Sequence, residues 1–265
     1  MVRKMLRLKP LKTLRNLRAF IKFKLKTRKT NPILVYQMGK VGSKSVHVAL
    51  QKQYNGFVGH AHSLSPTHKR LDIRLIYKWA VLEKKPLNII SLTREPISRN
   101  VSAFFQNFER DTGTTYKSAN FSFAELKAIF LANYRHDIPL FWFDRWVRDL
   151  FKIDVFAKPF PKEGIGQYQK NNIRLLVMHS EISDEEKSKA IADFLQINNF
   201  SLFKNENIGE KKEYQAIYKD FKSNLLLPAE YVELMCNSKY FNHFYSREKI
   251  ESVRKRWSEE ETGLS

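Results

Sequence analysis

The sequence predicts an α/β fold, a three-layer sandwich with a central, mostly parallel sheet and helices on both faces. From residue 31 onward, short apolar segments rich in β-formers alternate with amphipathic helical segments, the pattern of parallel strands joined by crossover helices. The 265 residues contain no Gly/Pro/Ser-rich linker and are enough for one large core. We therefore expect one domain over residues 31–265, preceded by a distinct segment over residues 1–30.

The segment over residues 1–30 is strongly basic. It holds twelve Lys and Arg residues and no acidic residue, so the formal net charge of +20 leaves only +8 for the rest of the chain. A basic amphipathic helix is typical of binding to an anionic membrane surface. A solvated or partner-binding arm and an organelle transit peptide are the alternatives. The apolar arc of this predicted helix consists of Leu11, Leu14, Leu17, Ile21 and Leu25.

Composition excludes several classes of protein. The single cysteine, Cys236, cannot form an internal disulfide, and no Cys/His group has zinc spacing, so we expect no metal. No apolar run reaches the length of a membrane-spanning helix, and the N-terminus lacks the apolar core of a signal peptide. We therefore expect a cytoplasmic protein, peripheral at the membrane if residues 1–30 bind lipid.

The first strand and helix flank a loop that suits a phosphate group. Ile33–Tyr36 is apolar and β-rich, and a helix over residues 45–53 would point its free N–H groups back at the loop. In the loop, Gly39 and Gly42 allow close backbone approach, Lys40 adds a mobile positive charge, and two hydroxyls can donate. An ordinary strand–turn–helix unit is the alternative. The two hydroxyls belong to Ser43 and Ser45.

The remaining elements follow in the same alternation. We expect a short strand within residues 56–62, a helix over 71–82 and a third strand over 87–92. Capping-box patterns at Ser122 and Ser183 predict the starts of two later helices. A late strand is expected at Ile173–His179, followed by helices over residues 213–257.

A second motif follows the third strand. Pro96 fits the first turn of a helix with a clear apolar face, and Arg94 lies at the end of the strand before it. An arginine fork beside the hydroxyls of Ser98 and Ser102 at a helix start is a second oxyanion site. Taken alone, Arg94 could equally pair with Glu95 or with a backbone carbonyl.

These two motifs together resemble those of the sulfotransferases. Lys40-Val-Gly-Ser-Lys-Ser45 resembles the family's 5′-phosphosulfate loop, Lys-x-Gly-[Ser/Thr] after the first strand. Arg94 followed eight residues later by Ser102 resembles its 3′-phosphate motif. Over about residues 31–257 the chain looks like the bacterial-type sulfotransferases of capsular polysaccharide synthesis. Further similar stretches are Trp142-Phe-Asp144, 154–160, 207–212 and 243–248.

The resemblance implies a P-loop-like sandwich that transfers a sulfuryl group from 3′-phosphoadenosine 5′-phosphosulfate, without a metal, to a glycan or glycolipid hydroxyl. By position, Lys40 would stabilise the leaving group. Arg94 and Ser102 would hold the 3′-phosphate, which distinguishes this donor from ATP. The 5′-phosphate would be held by Gly42, Ser43, Lys44 and Ser45.

Two histidines are the first candidates for the general base. Many relatives end the strand before the 3′-phosphate strand in a histidine followed by Leu and Pro, and His62 occupies that place here. An ordinary pKa of about 6.5 suits a base that works near neutrality. His60, two residues earlier, could contact the acceptor or the sulfate group. Other relatives use a glutamate, so Glu109 and Glu181 are alternates.

The sequence departs from the family in two places. His179-Ser-Glu-Ile182 stands where many relatives have Tyr-Glu-Asp, and the Arg-Lys-Gly segment that closes over the 3′-phosphate in cytosolic relatives is not found. The aromatic-rich Trp142 to Trp146 segment suits either the core or a sugar cleft, and residues 205–212 suit either a loop over the site or a solvated loop.

Two other functions compete with sulfuryl transfer. A nucleotide-dependent kinase is suggested by Gly39-Lys-Val-Gly-Ser-Lys-Ser45, but alignment with the P-loop puts Met38 and Ser43 at the required glycines. The third strand also ends in Thr-Arg instead of a Mg²⁺-binding aspartate. The other alternative is a non-catalytic binder of acidic polysaccharide or nucleic acid. Its support is mainly the basic segment over residues 1–30, and nothing in the rest of the chain resembles a nucleic-acid module. We therefore expect no nucleic-acid partner.

Overall fold

The computed structural model describes residues 14–116, 118–202 and 215–259, apart from the side chains of residues 14, 15, 215 and 216. A five-stranded sheet in the order β2-β1-β3-β5-β4 lies at the centre, and helices surround it. All neighbouring strands are parallel except β4, which runs antiparallel to β5 at one edge. The predicted α/β class is confirmed. The strands are β1 Ile33–Tyr36, β2 Val58–Ala61, β3 Leu87–Thr93, β4 Ile165–Lys170 and β5 Ile173–His179.

The helices up to β4 include two that change pitch. After Tyr77 the third helix continues as a π-helical segment, Lys78–Leu82, and after Phe143 the seventh continues as another, Asp144–Arg148. A 3₁₀ turn spans Val155–Ala157. The α-helices are α1 Leu14–Lys26, α2 Lys44–Gln53, α3 Leu71–Tyr77, α4 Pro96–Gln106, α5 Phe108–Thr112, α6 Phe123–Asn133, α7 Ile138–Phe143 and α8 Asp149–Phe151.

The helices after β5 complete the outer layers. Both predicted capping boxes are confirmed, at Ser122 with Glu125 on α6 and at Ser183 with Glu186 on the helix after β5. The expected loop over residues 205–212 lies outside the described residues. These helices are α9 Asp184–Leu195, α10 Gln215–Asn224, α11 Ala229–Cys236, α12 Lys239–Phe244 and α13 Arg247–Trp257.

Strand positions agree with the sequence wherever the strands are apolar. Every residue of β1 and of β3 is buried, as expected for central strands covered on both faces. The edge strand β4 was not predicted, because its sequence, Ile-Gly-Gln-Tyr-Gln-Lys, is largely polar and only one of its residues is buried. Pairing with the apolar β5 therefore forms this strand, and its own propensity contributes little.

The apolar face predicted for α4 anchors the largest aromatic cluster. Phe104, Phe105 and Phe108 are at most 1% exposed and pack with Phe130 of α6 and Phe221 of α10. Burying one such side chain contributes about 1.5–3 kcal/mol. This cluster fixes the position of α4 at the end of β3.

Helix α1 packs on the domain through an aromatic side chain. Phe23 is 3% exposed, and its ring lies 4.9 Å from that of Phe57 and 5.9 Å from that of Trp79, edge to face in both pairs. The face that enters the core is therefore not the arc of leucines expected from the sequence. Among the described residues of that arc, Leu17, Ile21 and Leu25 are exposed.

Candidate functional site

The sheet topology places the two predicted phosphate motifs side by side. The chain passes from β1 to β2 on one side and then to β3 on the other, so β1 and β3 are neighbours and the connections diverge between them. In open α/β sheets, ligands bind at such a switch point, outside the carboxyl ends of the strands. The β1–α2 loop and the β3–α4 loop both begin there.

The β1–α2 loop makes a turn with two residues in the left-handed region. Lys40 has a φ of 72° and Gly42 a φ of 81°. A Cβ on Gly42 would meet no described atom within 4 Å, so the loop faces open space. The left-handed conformation is unfavourable for lysine, and residues held in this way cluster at functional sites.

Helix α2 starts without a cap from its own N-cap residue. The Ser43 hydroxyl instead accepts a hydrogen bond from Gln37 Nε2 at 2.6 Å and lies 3.1 Å from His60 Nε2. Lys44 is exposed at the first helical position, and Ser45 Oγ donates to the Gly42 carbonyl at 3.2 Å. The positive end of the helix dipole and its first N–H groups therefore face the loop.

His60 is held in place by the residues of this loop. Its Nε2 lies 3.1 Å from Gln37 Nε2 and 3.1 Å from Ser43 Oγ, and an amide NH₂ can only donate. The Nε2 lone pair of His60 is therefore already accepting hydrogen bonds. Burial, with the neighbouring His62, His47 and Arg70, lowers the pKa of His60 to about 4.

His62 has a different arrangement, although the two rings pack edge to face with centroids 5.1 Å apart. Its Nδ1 lies 2.8 Å from the carbonyl of Gln37, which can only accept, so Nδ1 carries the hydrogen. Nε2 is then the unprotonated nitrogen, and it lies 3.6 Å from the position that a Cβ on Gly39 would take. Although His62 is exposed to the cleft, the surrounding protein excludes part of the water and lowers its pKa.

His47, His60 and His62 lie near one another but do not form a metal site. The rings of His47 and His60 stack at 5.0 Å. No group of His, Cys, Asp and Glu among the described residues has an arrangement that could hold a metal ion.

The β3–α4 loop is tied to the first loop and is capped by a carboxylate. Arg94 Nη1 donates to the Lys40 carbonyl at 2.9 Å, which uses one of its five N–H donors. Glu95 is 5% exposed, and its carboxylate accepts from the N–H groups of Ile97 at 2.5 Å and Ser98 at 2.8 Å. Burial raises the pKa of Glu95, against the opposing effect of these N–H groups. The helix-start part of the predicted second oxyanion site is therefore filled by Glu95.

What remains of that second site is made of side chains. Ser98 and Ser102 lie one turn apart on α4, Ser102 being 8% exposed. With two of the first N–H groups of α4 in use, binding of a phosphate here would depend on the Arg94 guanidinium and these two hydroxyls.

Neither alternate base is among the residues that line the cavity beside Lys40 and His62. Glu109 is an exposed residue of α5 and does not line the cavity beside these residues. Glu181 follows β5, where it lies within 3.2 Å of the Tyr245 hydroxyl and accepts a long hydrogen bond from the Glu95 backbone N–H. Of the four candidates for the base, His62 is the one among the residues that line this cavity.

A cavity of about 620 Å³ opens beside Lys40 and His62. Part of its wall is a face of α4, and another part is α7 with the π-helical segment after it. Phe141, Trp142 and Trp146 contribute aromatic surface, so the Trp142 to Trp146 segment lines a cleft even though Trp142 itself is 3% exposed. Arg99, Arg110, Arg135 and Arg145 also line this cavity.

Two residues that build the site were not singled out in the sequence. Gln37 is fully buried and positions Ser43, His60 and His62. Arg99 is 4% exposed and donates from Nε to the Gly39 carbonyl at 2.9 Å and from Nη1 to the Tyr134 hydroxyl at 2.7 Å. The available signals were a polar residue directly after a fully apolar strand and a charged residue within the core-facing part of a helix.

Comparisons with known proteins connect part of the chain to one family. The family model NKWYS, described as "Putative capsular polysaccharide synthesis protein", matches residues 117–246, just under half of the chain. The matched part includes β4, β5 and the Trp142 to Trp146 segment, but not the Lys40 loop, His62 or Arg94. Comparison with curated proteins and with solved structures gives no match. None of the described helices is both long and apolar enough to cross a membrane.

Proposed function

We propose that this protein is a sulfotransferase that moves a sulfuryl group from 3′-phosphoadenosine 5′-phosphosulfate to a hydroxyl of a glycan or glycolipid in a surface polysaccharide pathway. The observation that carries the proposal is the meeting of an open anion-binding loop, with Lys40 at its turn, and a histidine, His62, whose unprotonated nitrogen lies beside that loop. The resemblance of both phosphate motifs to those of the sulfotransferases supports it.

The residues present fit the donor. The exposed start of α2 suits the 5′-phosphate, because free N–H groups, the helix dipole and Lys44 all favour an anion. The open space in front of Gly42 leaves room for it. Arg94 would bind the 3′-phosphate together with the Ser102 hydroxyl.

The chemistry divides between two side chains. His62 Nε2 takes the proton of the acceptor hydroxyl as the hydroxyl oxygen bonds to sulfur. Lys40 stabilises the negative charge that develops on the phosphate oxygen as its bond to the same sulfur breaks. The sulfate ester and 3′-phosphoadenosine 5′-phosphate are the products, and the proton remains on His62 until solvent removes it.

The acceptor class rests on two further observations. Sugars stack on aromatic faces, and Phe141, Trp142 and Trp146 line the cavity beside His62. The description of the matched family, capsular polysaccharide synthesis, points to the same class.

Ligand-dependent thermal stability tests the donor. We expect 3′-phosphoadenosine 5′-phosphate to raise the melting temperature without Mg²⁺, because a ligand at 100 times its Kd stabilises the native state by about 2.7 kcal/mol. ATP, which lacks the 3′-phosphate, is expected to do much less. Equal shifts with both nucleotides would contradict the assignment of Arg94 and Ser102, and a shift only with ATP and Mg²⁺ would favour a kinase.

Matched histidine variants test the base. His62→Ala is expected to abolish sulfuryl transfer while 3′-phosphoadenosine 5′-phosphate still stabilises the protein. His60→Ala is expected to retain transfer, because His60 Nε2 is already hydrogen-bonded to Gln37 and Ser43 and His60 is not among the residues that line the cavity. The lowered pKa of His62 also predicts that the acidic limb of kcat/KM lies below about pH 6.5. Full activity of His62→Ala would move the role to another residue.

A further inference from the structure

The cavity beside His62 has a charge that the transfer step itself does not require. Its lining holds five basic side chains, those of Lys40 and four arginines, against one carboxylate, that of Asp137. Three of the arginines already have hydrogen-bond or ion-pair partners in the protein. Arg99 is buried against Gly39 and Tyr134, Arg110 pairs with Asp111 at 2.7 Å, and Arg135 pairs with Asp137 at 3.4 Å.

Arg145 differs from these three. It is exposed, its guanidinium carbon lies 5.2 Å from the ring centroid of Trp146, and no described carboxylate lies within ion-pair distance of it. A guanidinium beside an indole provides a planar fork for a carboxylate and an aromatic face for a ring. The two together match a sugar that carries an acid.

The position of the cavity indicates which substrate occupies it. The residues that the sulfotransferase resemblance assigns to the donor phosphates, Ser43 to Ser45 with Arg94 and Ser102, are not among its lining, whereas Lys40 and His62 are. An in-line displacement puts the acceptor on the side of the base, opposite the leaving phosphate. The cavity is therefore the acceptor side of the site.

We infer that the acceptor is an acidic saccharide, one that carries a carboxylate, and that Arg145 binds this carboxylate while Trp146 stacks on the ring. That this saccharide is the acceptor rests on the proposed function, but its binding to the cavity can be measured without sulfuryl transfer. Removing Arg145 should remove the preference for the acid and leave donor binding intact.

Tryptophan fluorescence measures this binding, because Trp142 and Trp146 line the cavity. The probes are a tetragalacturonate oligosaccharide and its carboxyl-reduced counterpart, in which an uncharged hydroxymethyl group replaces each carboxylate. We expect the tetragalacturonate to bind at least about tenfold more tightly than the reduced oligosaccharide, because its carboxylate can form a charge-assisted hydrogen bond with Arg145. Arg145→Gln should abolish the difference. Arg148→Gln, on the same segment but paired with Asp144 outside the cavity, is the matched control and should keep it.

The outcomes separate this inference from the proposed function. Equal binding of the two oligosaccharides, no binding of the acid at millimolar concentration, or an unchanged preference in Arg145→Gln would overturn the acceptor class while 3′-phosphoadenosine 5′-phosphate still stabilised the protein. Failure of that nucleotide to stabilise the protein would overturn the donor assignment instead.

An independent observation concerns α1. Because Phe23 anchors the helix to the domain, the stripe formed by Leu17, Ile21 and Leu25 is turned outward, with 42%, 47% and 61% exposure. Beside it lies a groove of about 720 Å³ whose apolar surface comes from Ile21 and Leu25. Its basic rim consists of Arg18, Lys22, Lys26 and Lys29.

The charge of this surface selects one kind of partner. Residues 1–30 contain no acidic side chain, and the charged residues that line the groove beside the stripe are all basic. Phosphate groups complement that charge, but a nucleic acid backbone would leave three large apolar side chains in water. The boundary between headgroups and acyl chains of an anionic bilayer accommodates both the stripe and its basic flanks.

We propose that the outward face of α1 binds an anionic membrane surface, with Leu17, Ile21 and Leu25 inserted below the headgroups and the basic rim at the phosphates. Each basic residue near such a surface contributes about 1 kcal/mol. The docked Phe23 then fixes the domain relative to the membrane.

Vesicle sedimentation of the full chain tests this proposal. Phosphatidylcholine vesicles that contain about 30% of the anionic lipid phosphatidylglycerol are compared with vesicles of phosphatidylcholine alone. We expect binding only to the anionic vesicles, and a loss of at least about tenfold in Arg18→Gln/Lys22→Gln/Lys29→Gln. The matched control, Lys158→Gln/Lys162→Gln/Lys170→Gln, removes the same charge from exposed residues elsewhere and should bind like the parent.

A second variant tests the apolar contribution. Leu17→Gln/Ile21→Gln/Leu25→Gln leaves the charge and Phe23 in place, so its melting temperature should be unchanged while binding falls. Equal binding to neutral vesicles, an equal loss in the control triple variant, or full binding of the glutamine stripe variant would overturn the proposal.

Discussion

Helices α2 and α4 start at equivalent places, the carboxyl ends of the neighbouring parallel strands β1 and β3, but their starts are chemically opposite. At α2 the N-cap hydroxyl of Ser43 turns toward Gln37 and His60, and the first turn carries no acid. At α4 the Glu95 carboxylate occupies the N–H groups of Ile97 and Ser98.

One position therefore decides whether the N–H groups at a helix start are open or capped by a side chain of the protein. Every helix has positive partial charge at its N-terminus. Where a side chain of the protein satisfies the N–H groups, this charge stabilises the fold. Where the side chain turns away, the charge remains available to an anion. Four expected outcomes test the comparison, in order of decreasing effect.

Lys40→Ala should have the largest effect. Turnover at saturating donor is expected to fall about 100- to 1,000-fold, because the variant loses charge stabilisation that matters most as the bond breaks. The Kd of 3′-phosphoadenosine 5′-phosphate should change by no more than about tenfold. Single-turnover rates and calorimetric titration provide the two numbers. Lys189→Ala, on α9, is the control. If Lys40→Ala changed the Kd more than it changed turnover, the roles of Lys40 and Arg94 would be reversed.

Glu95→Ala should destabilise the fold by about 2 kcal/mol, since two N–H groups of α4 lose their acceptor. Urea unfolding measures the change, and Ser122→Ala at the exposed capping box of α6 should cost only about 1 kcal/mol. The freed helix start should also make sulfate stabilise this variant more than it stabilises the parent. No difference in the response to sulfate would mean that the cap does not close an anion site.

His60→Gln should change how stability depends on pH. The pKa of His60 is about 4 in the native state, below the ordinary value of about 6.5, so the unfolded chain binds the proton more tightly. Stability supplied by the neutral ring is present above pH 6.5 and is lost as the pH falls toward 4. We expect the parent to lose roughly 2 kcal/mol more than His60→Gln across that window, less than the full shift because the ring is only partly buried. Parallel pH curves would contradict the role of His60.

Lys40→Gly should have the smallest effect, and it should increase stability relative to Lys40→Ala. Glycine adopts a φ of 72° without the penalty that lysine or alanine incurs, so the variant should be about 1 kcal/mol more stable than Lys40→Ala. Turnover should be as low in both. Comparison of their urea midpoints and transfer rates separates the backbone of this turn from the amine it carries.

The sequence predicted the central strands because they are continuous apolar runs, and β1 and Ile173–His179 appear with the predicted bounds. Helix starts were predictable where a capping residue and its partner are three positions apart, as at Ser122 and Ser183. The edge strand β4 was not predictable, because its polar sequence becomes a strand only through pairing with β5.

In the candidate site, too, features within one local unit were predictable from the sequence and features that depend on distant residues were not. The glycines, Lys40, Arg94 and Ser102 could be proposed as phosphate-binding residues because each motif lies within one strand–loop–helix unit, where spacing along the chain predicts position. The different environments of His60 and His62 were not visible, because both depend on Gln37, a residue more than twenty positions away. The direction in which α1 docks depended likewise on Phe57 and Trp79.

The sequence by itself determined the α/β class and the positions of the apolar strands, and it predicted which residues bind phosphate, since these follow from local periodicity and from the chemistry of each side chain. Only the tertiary structure decided that the α2 start is open and the α4 start closed, that His62 and not His60 has an available nitrogen, and that α1 turns its aliphatic stripe outward. The reason is physical: a hydrogen-bonding group is available or occupied according to its neighbours in space, and contacts between distant parts of the chain set those neighbours.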